Sequence, residues 1–222
     1  MLDYRICPSI LAGDFMHMGD AIEQLVGAGC SHLHMDIMDG HFVPQLTFGE
    51  KIIADARAMF SGTIDSHLMV SNPGDQIKAI AAAGSDIIII HAETAGAPVL
   101  LNQLLDQIRQ AGALPGIALD GPTQDLSVIL PIVDQLAVVL VATGKVGKAG
   151  QKLDHACLDK VRQIREMPGT DALNIMVDIG INAQTLPEAK AAGANWFVAS
   201  SAIFNHPQGI AAGYAQLVAG MH

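Results

Sequence analysis

The chain has 222 residues, half of them hydrophobic and 15% charged, with a mean hydropathy of +0.36. That excludes a disordered chain and leaves ample apolar material for a core. Twelve bases against 22 acids give a formal charge of −10, and aromatics reach only 4%, a poor composition for a nucleic-acid binder, the one small basic cluster being Lys145, Lys148 and Lys152.

In chain order, short apolar runs predict strands over 6–11, 32–38, 63–70, 86–91, 114–119, 136–142, 173–179 and 196–199. Periodic segments at 16–28, 74–83, 99–110, 158–166 and 186–192 predict helices between them. Gly29, Gly84, Gly112 and Gly193 follow helical segments, where a left-handed stop is needed. The run Ile87-Ile88-Ile89-Ile90 is apolar on both faces, as in a parallel strand covered by helices. Eight strands alternating with about eight helices predict a (β/α)₈ TIM barrel, a single domain over 1–222. A doubly wound open sheet is the structural alternative, and the missing GxGxxG turn after the first strand counts against it. The long irregular segment 143–152 after strand six is a candidate active-site loop. No apolar run is long enough for a bilayer, and residues 1–5 lack a secretory signal's apolar segment, so a cytoplasmic protein without a membrane partner is expected. Cys7, Cys30 and Cys157, an odd number without CxxC spacing, predict reduced and mostly buried thiols.

The strongest local feature is His34-Met35-Asp36-Ile37-Met38-Asp39-Gly40. His34 and Asp36 are two apart on a strand and share a face. His67 sits comparably on strand three, and Asp178 ends strand seven. A closed barrel brings such strand ends together. A lone strand histidine is more often a satisfied core residue, but interior carboxylates need partners. Two imidazoles and two carboxylates suit one divalent ion of the Zn, Fe, Mn or Co class, and without thiolate a soft-metal site is disfavoured.

The sequence resembles the ribulose-phosphate 3-epimerase family. The resemblance is carried by Pro8-Ser9-Ile10-Leu11, by His34-Met35-Asp36-Ile37-Met38-Asp39-Gly40-His41-Phe42-Val43-Pro44, and by His67-Leu68-Met69-Val70. His91-Ala92-Glu93, Gly150-Gln151 and Ser201-Ala202-Ile203-Phe204 follow in the family's order. The resemblance implies a metal-dependent isomerase of carbohydrate metabolism that inverts carbon 3 of a ketose phosphate, with ribulose 5-phosphate of the pentose phosphate route leading. It implies that His34, Asp36, His67 and Asp178 hold the metal and that Asp36 and Asp178 are the catalytic acid/base pair. Ser9 and His67 would contact substrate, and Met38 and Met69 would line the metal pocket, although adaptable core filling explains methionines equally well. A homo-oligomer is implied, with no sequence feature fixing its number.

Departures fall on the substrate side. The family's loop after strand six reads Asn-Pro-Gly-Phe-Gly-Gly-Gln, whereas Lys145-Val146-Gly147-Lys148-Ala149-Gly150-Gln151 stands here. Strand seven ends Asp178-Ile179-Gly180 rather than Asp-Gly-Gly, and strand eight leads into Ser200-Ser201 rather than Gly-Ser. Gln45 and Asp120-Gly121-Pro122 also depart from the pattern. The expected substrate contacts are therefore Gly147, Lys148, Gly150, Gly180, Ser200 and Ser201, with Lys145 or Lys148 supplying point charge for the phosphate. Ile179 is not expected to adopt the positive φ open to glycine, whereas Ser200 is expected to offer an N–H and a hydroxyl. Other readings are a 3-epimerase of another ketose phosphate such as allulose 6-phosphate, or a non-catalytic sugar-phosphate-binding barrel. Decarboxylation of sugar-acid phosphates on related barrels uses Asp-x-Lys-x-x-Asp, but Asp36 is followed by Met38 and His41 at those places.

Overall fold

The computed structural model describes residues 2–221. Eight strands, β1 (Arg5–Pro8), β2 (His32–Met38), β3 (Thr63–Met69), β4 (Ile87–His91), β5 (Leu114–Leu119), β6 (Val138–Ala142), β7 (Asn174–Asp178) and β8 (Trp196–Ala199), form one all-parallel sheet. The sheet runs in the order β1-β8-β7-β6-β5-β4-β3-β2, and its two ends meet through a single parallel bridge between Ser9 and His34. The barrel is thus closed at its seam by one residue pair at the level of the site.

Strand alternation sorts the apolar side chains into two layers. Leu33, Met35, Ile37, Ile64, Ile88, Ile90 and Val177 belong to the larger cluster, which the helices cover. Cys7, Ile87, Ile89, Val138, Leu140, Met176 and Trp196 belong to the second cluster, which fills the barrel. Both layers are buried, as a (β/α)₈ fold requires. On β2 the inward series is His32, His34, Asp36 and Met38, all buried.

The covering helices are α1 (Met18–Gly27), α2 (Glu50–Met59), α3 (Ile77–Ala82), α4 (Ala92–Ala95), α5 (Pro98–Gln110), α6 (Leu158–Arg165), α7 (Leu186–Ala191), α8 (Ser201–Phe204) and α9 (Ile210–Gly220). The expected helix stops hold, since Gly29, Gly84, Gly112 and Gly193 all have positive φ. The alternation fails once. Between β5 and β6 there is no α-helix, only a 3₁₀ turn at Leu130–Gln135. The crossover carries Pro122 and Pro131 and covers the sheet with the buried Leu126, Ile129 and Ile132 instead. The first strand is also shorter than expected, because Ser9 accepts the Leu11 N–H and caps a 3₁₀ turn at Ile10–Ala12. All three cysteines are free and buried. Among the described residues no helix is long and apolar enough to cross a membrane.

Candidate active site

Register places the central pair. Asp36 on β2 is the lateral partner of His67 on β3, and His34 is the partner of Asp65. Asp178 ends β7 because the next residue, Ile179, has φ +81° and leaves the strand. In consequence His34, Asp36, His67 and Asp178 each offer a donor atom, all within 4.8 Å of one another.

The two histidines are fully buried behind the two carboxylates, which face a cleft of about 210 Å³. Asp36 Oδ1 lies 3.2 Å from both His34 Nε2 and His67 Nδ1, and Asp36 Oδ2 accepts the Ser9 hydroxyl proton at 2.5 Å. Asp178 Oδ2 lies 3.9 Å from His67 Nδ1, while Oδ1 accepts the Ile179 N–H at 2.7 Å. Beneath them Asp65 sits 2.6 Å from His34 Nδ1 and 2.6 Å from His32 Nε2. Despite these approaches, His34 Nε2 and Nδ1 are buried without a partner in hydrogen-bond geometry. A buried nitrogen left without a hydrogen bond, beside two carboxylates and a second imidazole, fits a divalent cation of borderline hardness.

The two carboxylates differ electrostatically. Burial acts to raise Asp36, but the His34 charge and the His67 hydrogen bond overcome it and hold this carboxyl well below the usual range. Burial and then the Asp36 charge push Asp178 upward. Two carboxyls at one cleft thus hold a proton with different strength, as acid/base partners require.

Ser9, Gly147, Lys148 and Gly150 line the same cleft, as do Gly180, Ser200 and Ser201. Met38 and Met69 line it too, and both are buried. Lys145 does not. It is exposed and faces a separate cleft with Asp120, Asp154 and Lys160, because the buried Val146 and the turn at Gly147 carry the chain across before Lys148. The Gln151 amide donates to the carbonyls of Lys145 at 2.6 Å and Lys148 at 2.7 Å, so the loop is tied to itself.

Two expectations about backbone and hydroxyl are corrected. Ile179 does take the positive φ that its branch disfavours, the one non-glycine to do so among the described residues. Thr143 braces it. The Thr143 hydroxyl reaches the carbonyls of Asp178 at 2.7 Å and Ile179 at 2.6 Å, and its N–H donates to Asp178. The Ile179 side chain fits because Gly144 has none, since a Cβ there would lie 2.8 Å from Ile179 Cγ2. Ser200 has no free hydroxyl. It donates to the Ser9 carbonyl at 2.8 Å and accepts the Ala12 N–H at 2.9 Å, tying the start of α8 to the turn after β1.

His32, Asp65 and Thr143 escape a reading that looks for the acid/base set alone. The period-2 series His32-x-His34-x-Asp36 and Asp65-x-His67 is the signal that finds the first two.

Comparison with known proteins places the chain in a family. The profile of the ribulose-phosphate 3 epimerase family matches residues 5–204. The ribulose-phosphate 3-epimerase of Bacillus subtilis is 37% identical over 203 residues, covering 90% of this chain and 92% of its own length. That of Escherichia coli is 34% identical over 210 residues, covering 93% and 92%. In fold alone, the chain is similar to KGPDC from Streptococcus mutans in complex with D-R5P, with a TM-score of 0.71, 15% identity and coverage of 98% and 97%. 3-Hexulose-6-phosphate synthase from Salmonella typhimurium gives a TM-score of 0.71 at 14% identity, covering 98% of this chain and 100% of its own. With its whole barrel matched and relatives above one-third identity along nine-tenths of its length, the chain belongs to the ribulose-phosphate 3-epimerase family and is an isomerase of the epimerase type.

Proposed function

We propose that this epimerase inverts carbon 3 of a ketose phosphate, interconverting D-ribulose 5-phosphate and D-xylulose 5-phosphate. The observation that supports it most is the meeting of Asp36 and Asp178 at one cleft, from β2 and β7, with His34 and His67 behind them. A proton beside a ketone is too weakly acidic for an isolated carboxylate. His34, Asp36, His67 and Asp178 would hold one divalent ion of the Zn, Fe, Mn or Co class, which would supply Lewis acidity for the charge that develops beside the ketone.

The chain's own groups do the rest. One aspartate takes the carbon-3 proton from one face, and the other returns a proton to the opposite face. Two carboxylates invert a stereocentre, whereas one returns the proton to its own side. The Ser9 hydroxyl holds Asp36 Oδ2, and the Ile179 N–H holds Asp178 Oδ1, so neither carboxylate turns away. The buried Met38 and Met69 present apolar surface that limits water at the reacting carbon. At the far end of the cleft, backbone N–H groups near Gly180 and Ser201 and the Lys148 ammonium receive the phosphate.

Incubation in deuterated water with ribulose 5-phosphate and Mn²⁺ tests the reaction. Deuterium at carbon 3 with formation of xylulose 5-phosphate supports it. Binding without exchange makes the chain a non-catalytic barrel. Lys148 and Ile179 at the cleft, where the family pattern has other residues, leave a second reading in which the enzyme is a 3-epimerase of a different ketose phosphate, such as allulose 6-phosphate. Four- to six-carbon ketoses, with and without phosphate, separate the two by kcat/KM.

A further inference from the structure

Thr143, the residue after β6, is fully buried and takes no part in the proton transfers above. It carries no titratable group, and chemistry fixes the direction of each of its hydrogen bonds. Its N–H donates to the Asp178 carbonyl at 2.8 Å. Its hydroxyl lies 2.7 Å from that same carbonyl and 2.6 Å from the carbonyl of Ile179. A carbonyl only accepts, so the hydroxyl proton is shared between the two. The Thr143 carbonyl in turn accepts the Asp154 N–H at 2.7 Å, which anchors Thr143 to the chain beyond the loop.

The two carbonyls belong to the peptide units on either side of the Ile179 Cα. Holding both fixes the backbone of Ile179, which is how a β-branched residue stays at φ +81°. The first unit reaches the site. A trans peptide is planar, and its C=O and N–H point opposite ways. Thr143 grips the carbonyl end of this plate. The other end is the Ile179 N–H, which donates to Asp178 Oδ1 at 2.7 Å. The chain after Ile179 has little room to swing, since a Cβ on Gly180 would run into the Leu153 backbone. Relief of the strain at Ile179 therefore turns the plate, and with it the N–H that Asp178 leans on.

We propose that Thr143 is a positioning residue for the epimerisation: its grip on the 178–179 peptide unit keeps Ile179 left-handed and the Asp178 carboxylate aimed into the cleft. This rests on the two-aspartate reading for its purpose, though not for its geometry. In the rival arrangement Thr143 only supplies donors to two buried carbonyls, and its loss is felt in stability alone.

Thr143→Val keeps the shape and removes the hydroxyl, whereas Thr143→Ser keeps the hydroxyl. With saturating Mn²⁺ and ribulose 5-phosphate, Thr143→Val is expected to lower kcat by about 10–100-fold with KM within about threefold. Thr143→Ser recovers most of the loss. The loss shrinks several-fold, about to the level of Thr143→Ser, when 179 is glycine, which stays left-handed without a grip. Amide exchange, followed by NMR on the metal-free chain, gives a readout independent of turnover. The Ile179 amide, assigned by its absence in Ile179→Gly, is expected to exchange at least about tenfold faster in Thr143→Val but not in Thr143→Ser, with Val177 on β7 unchanged. If Thr143→Val does not fold, Thr143→Ala gives the same readouts. A lowered Tm with kcat and Ile179 exchange unchanged overturns the proposal, being the mark of packing alone. So does an equal kcat loss in both backgrounds, since the hydroxyl then acts otherwise than through residue 179. A chain that shows the exchange difference but turns over no ketose phosphate sinks the epimerase reading and leaves the grip standing.

Discussion

Asp36 and Lys148 face the same cleft from supports of opposite kind. Asp36 stands on a strand buried along its whole length, in register with β3, with its carboxylate held by Ser9 and flanked by two histidines. Lys148 stands on a loop whose carbonyls are tied by the Gln151 side chain, and its own ammonium is exposed. The strand side meets demands of geometry and charge that few residue types satisfy. The loop side needs an attractive surface for an anion, which several backbone paths supply. The departures from the family pattern lie on the loop side, where the sequence is freer to change.

Breaking the strand side has the largest expected effect. Asp178→Asn removes one of the two proton carriers and lowers kcat by about 10⁴-fold, with an unchanged far-ultraviolet circular dichroism spectrum; residual turnover near that of the unsubstituted chain would falsify the two-carboxylate mechanism. Asp65→Ala leaves His32 and His34 buried without their shared carboxylate, and urea unfolding should show a loss of about 3–5 kcal/mol. A loss under about 1 kcal/mol means that the buried histidines find other partners.

The loop side should answer more softly. Lys148→Ala raises KM for the phosphorylated ketose by about tenfold, a single ionic contact, with kcat held and with no change for the unphosphorylated sugar. Lys145→Ala, facing the other cleft, should change neither. Equal KM effects from both lysines would point to a general field rather than a contact. Ile179→Gly releases a strain of about 1–2 kcal/mol, offset by glycine's entropy of about 0.5–1 kcal/mol and lost methyl contacts. Stability should move by less than about 1 kcal/mol and KM by less than twofold, because the backbone already follows a glycine path.

Asp39, the residue after β2, extends the test to pH. Burial acts to raise its carboxyl, but the N–H groups of Ser71, His41 and Phe42, at 2.7, 2.8 and 2.8 Å, bring it down to about 2. A lowered folded-state value means stability that is present above the unfolded value near 3.8 and is lost as pH falls through about 2. Asp39→Asn should therefore flatten the acid limb of Tm against pH, by a small amount since the group is mostly solvated.

Much of the strand side was legible in the sequence because period 2 is a strict rule. His34 and Asp36 share a face whatever the rest of the chain does, and barrel closure brings His67 and Asp178 to them. The same rule reaches His32 and Asp65 once every inward position is followed down the strand. The loop side was not legible, since direction there is set by tertiary contacts. Lys145 and Lys148 are chemically alike, and the burial of Val146 with the turn at Gly147 sends them to different clefts. Nothing in the local sequence indicates that Thr143, 36 residues earlier, holds Ile179 at positive φ. The missing helix between β5 and β6 follows from Pro122 and Pro131 in the crossover, a breaker signal outweighed by the regular spacing around it.

The fit of Ile179 against Gly144 makes the history of these two positions directional. While the branched residue is present, no side chain enters at 144, so that site tolerates nothing but glycine. With a small residue at 179, the neighbouring position becomes free to vary. A saturation library at 144 should accordingly return one survivor in the native background and several when 179 is glycine, which makes the order of the two mutations part of the inheritance of this barrel.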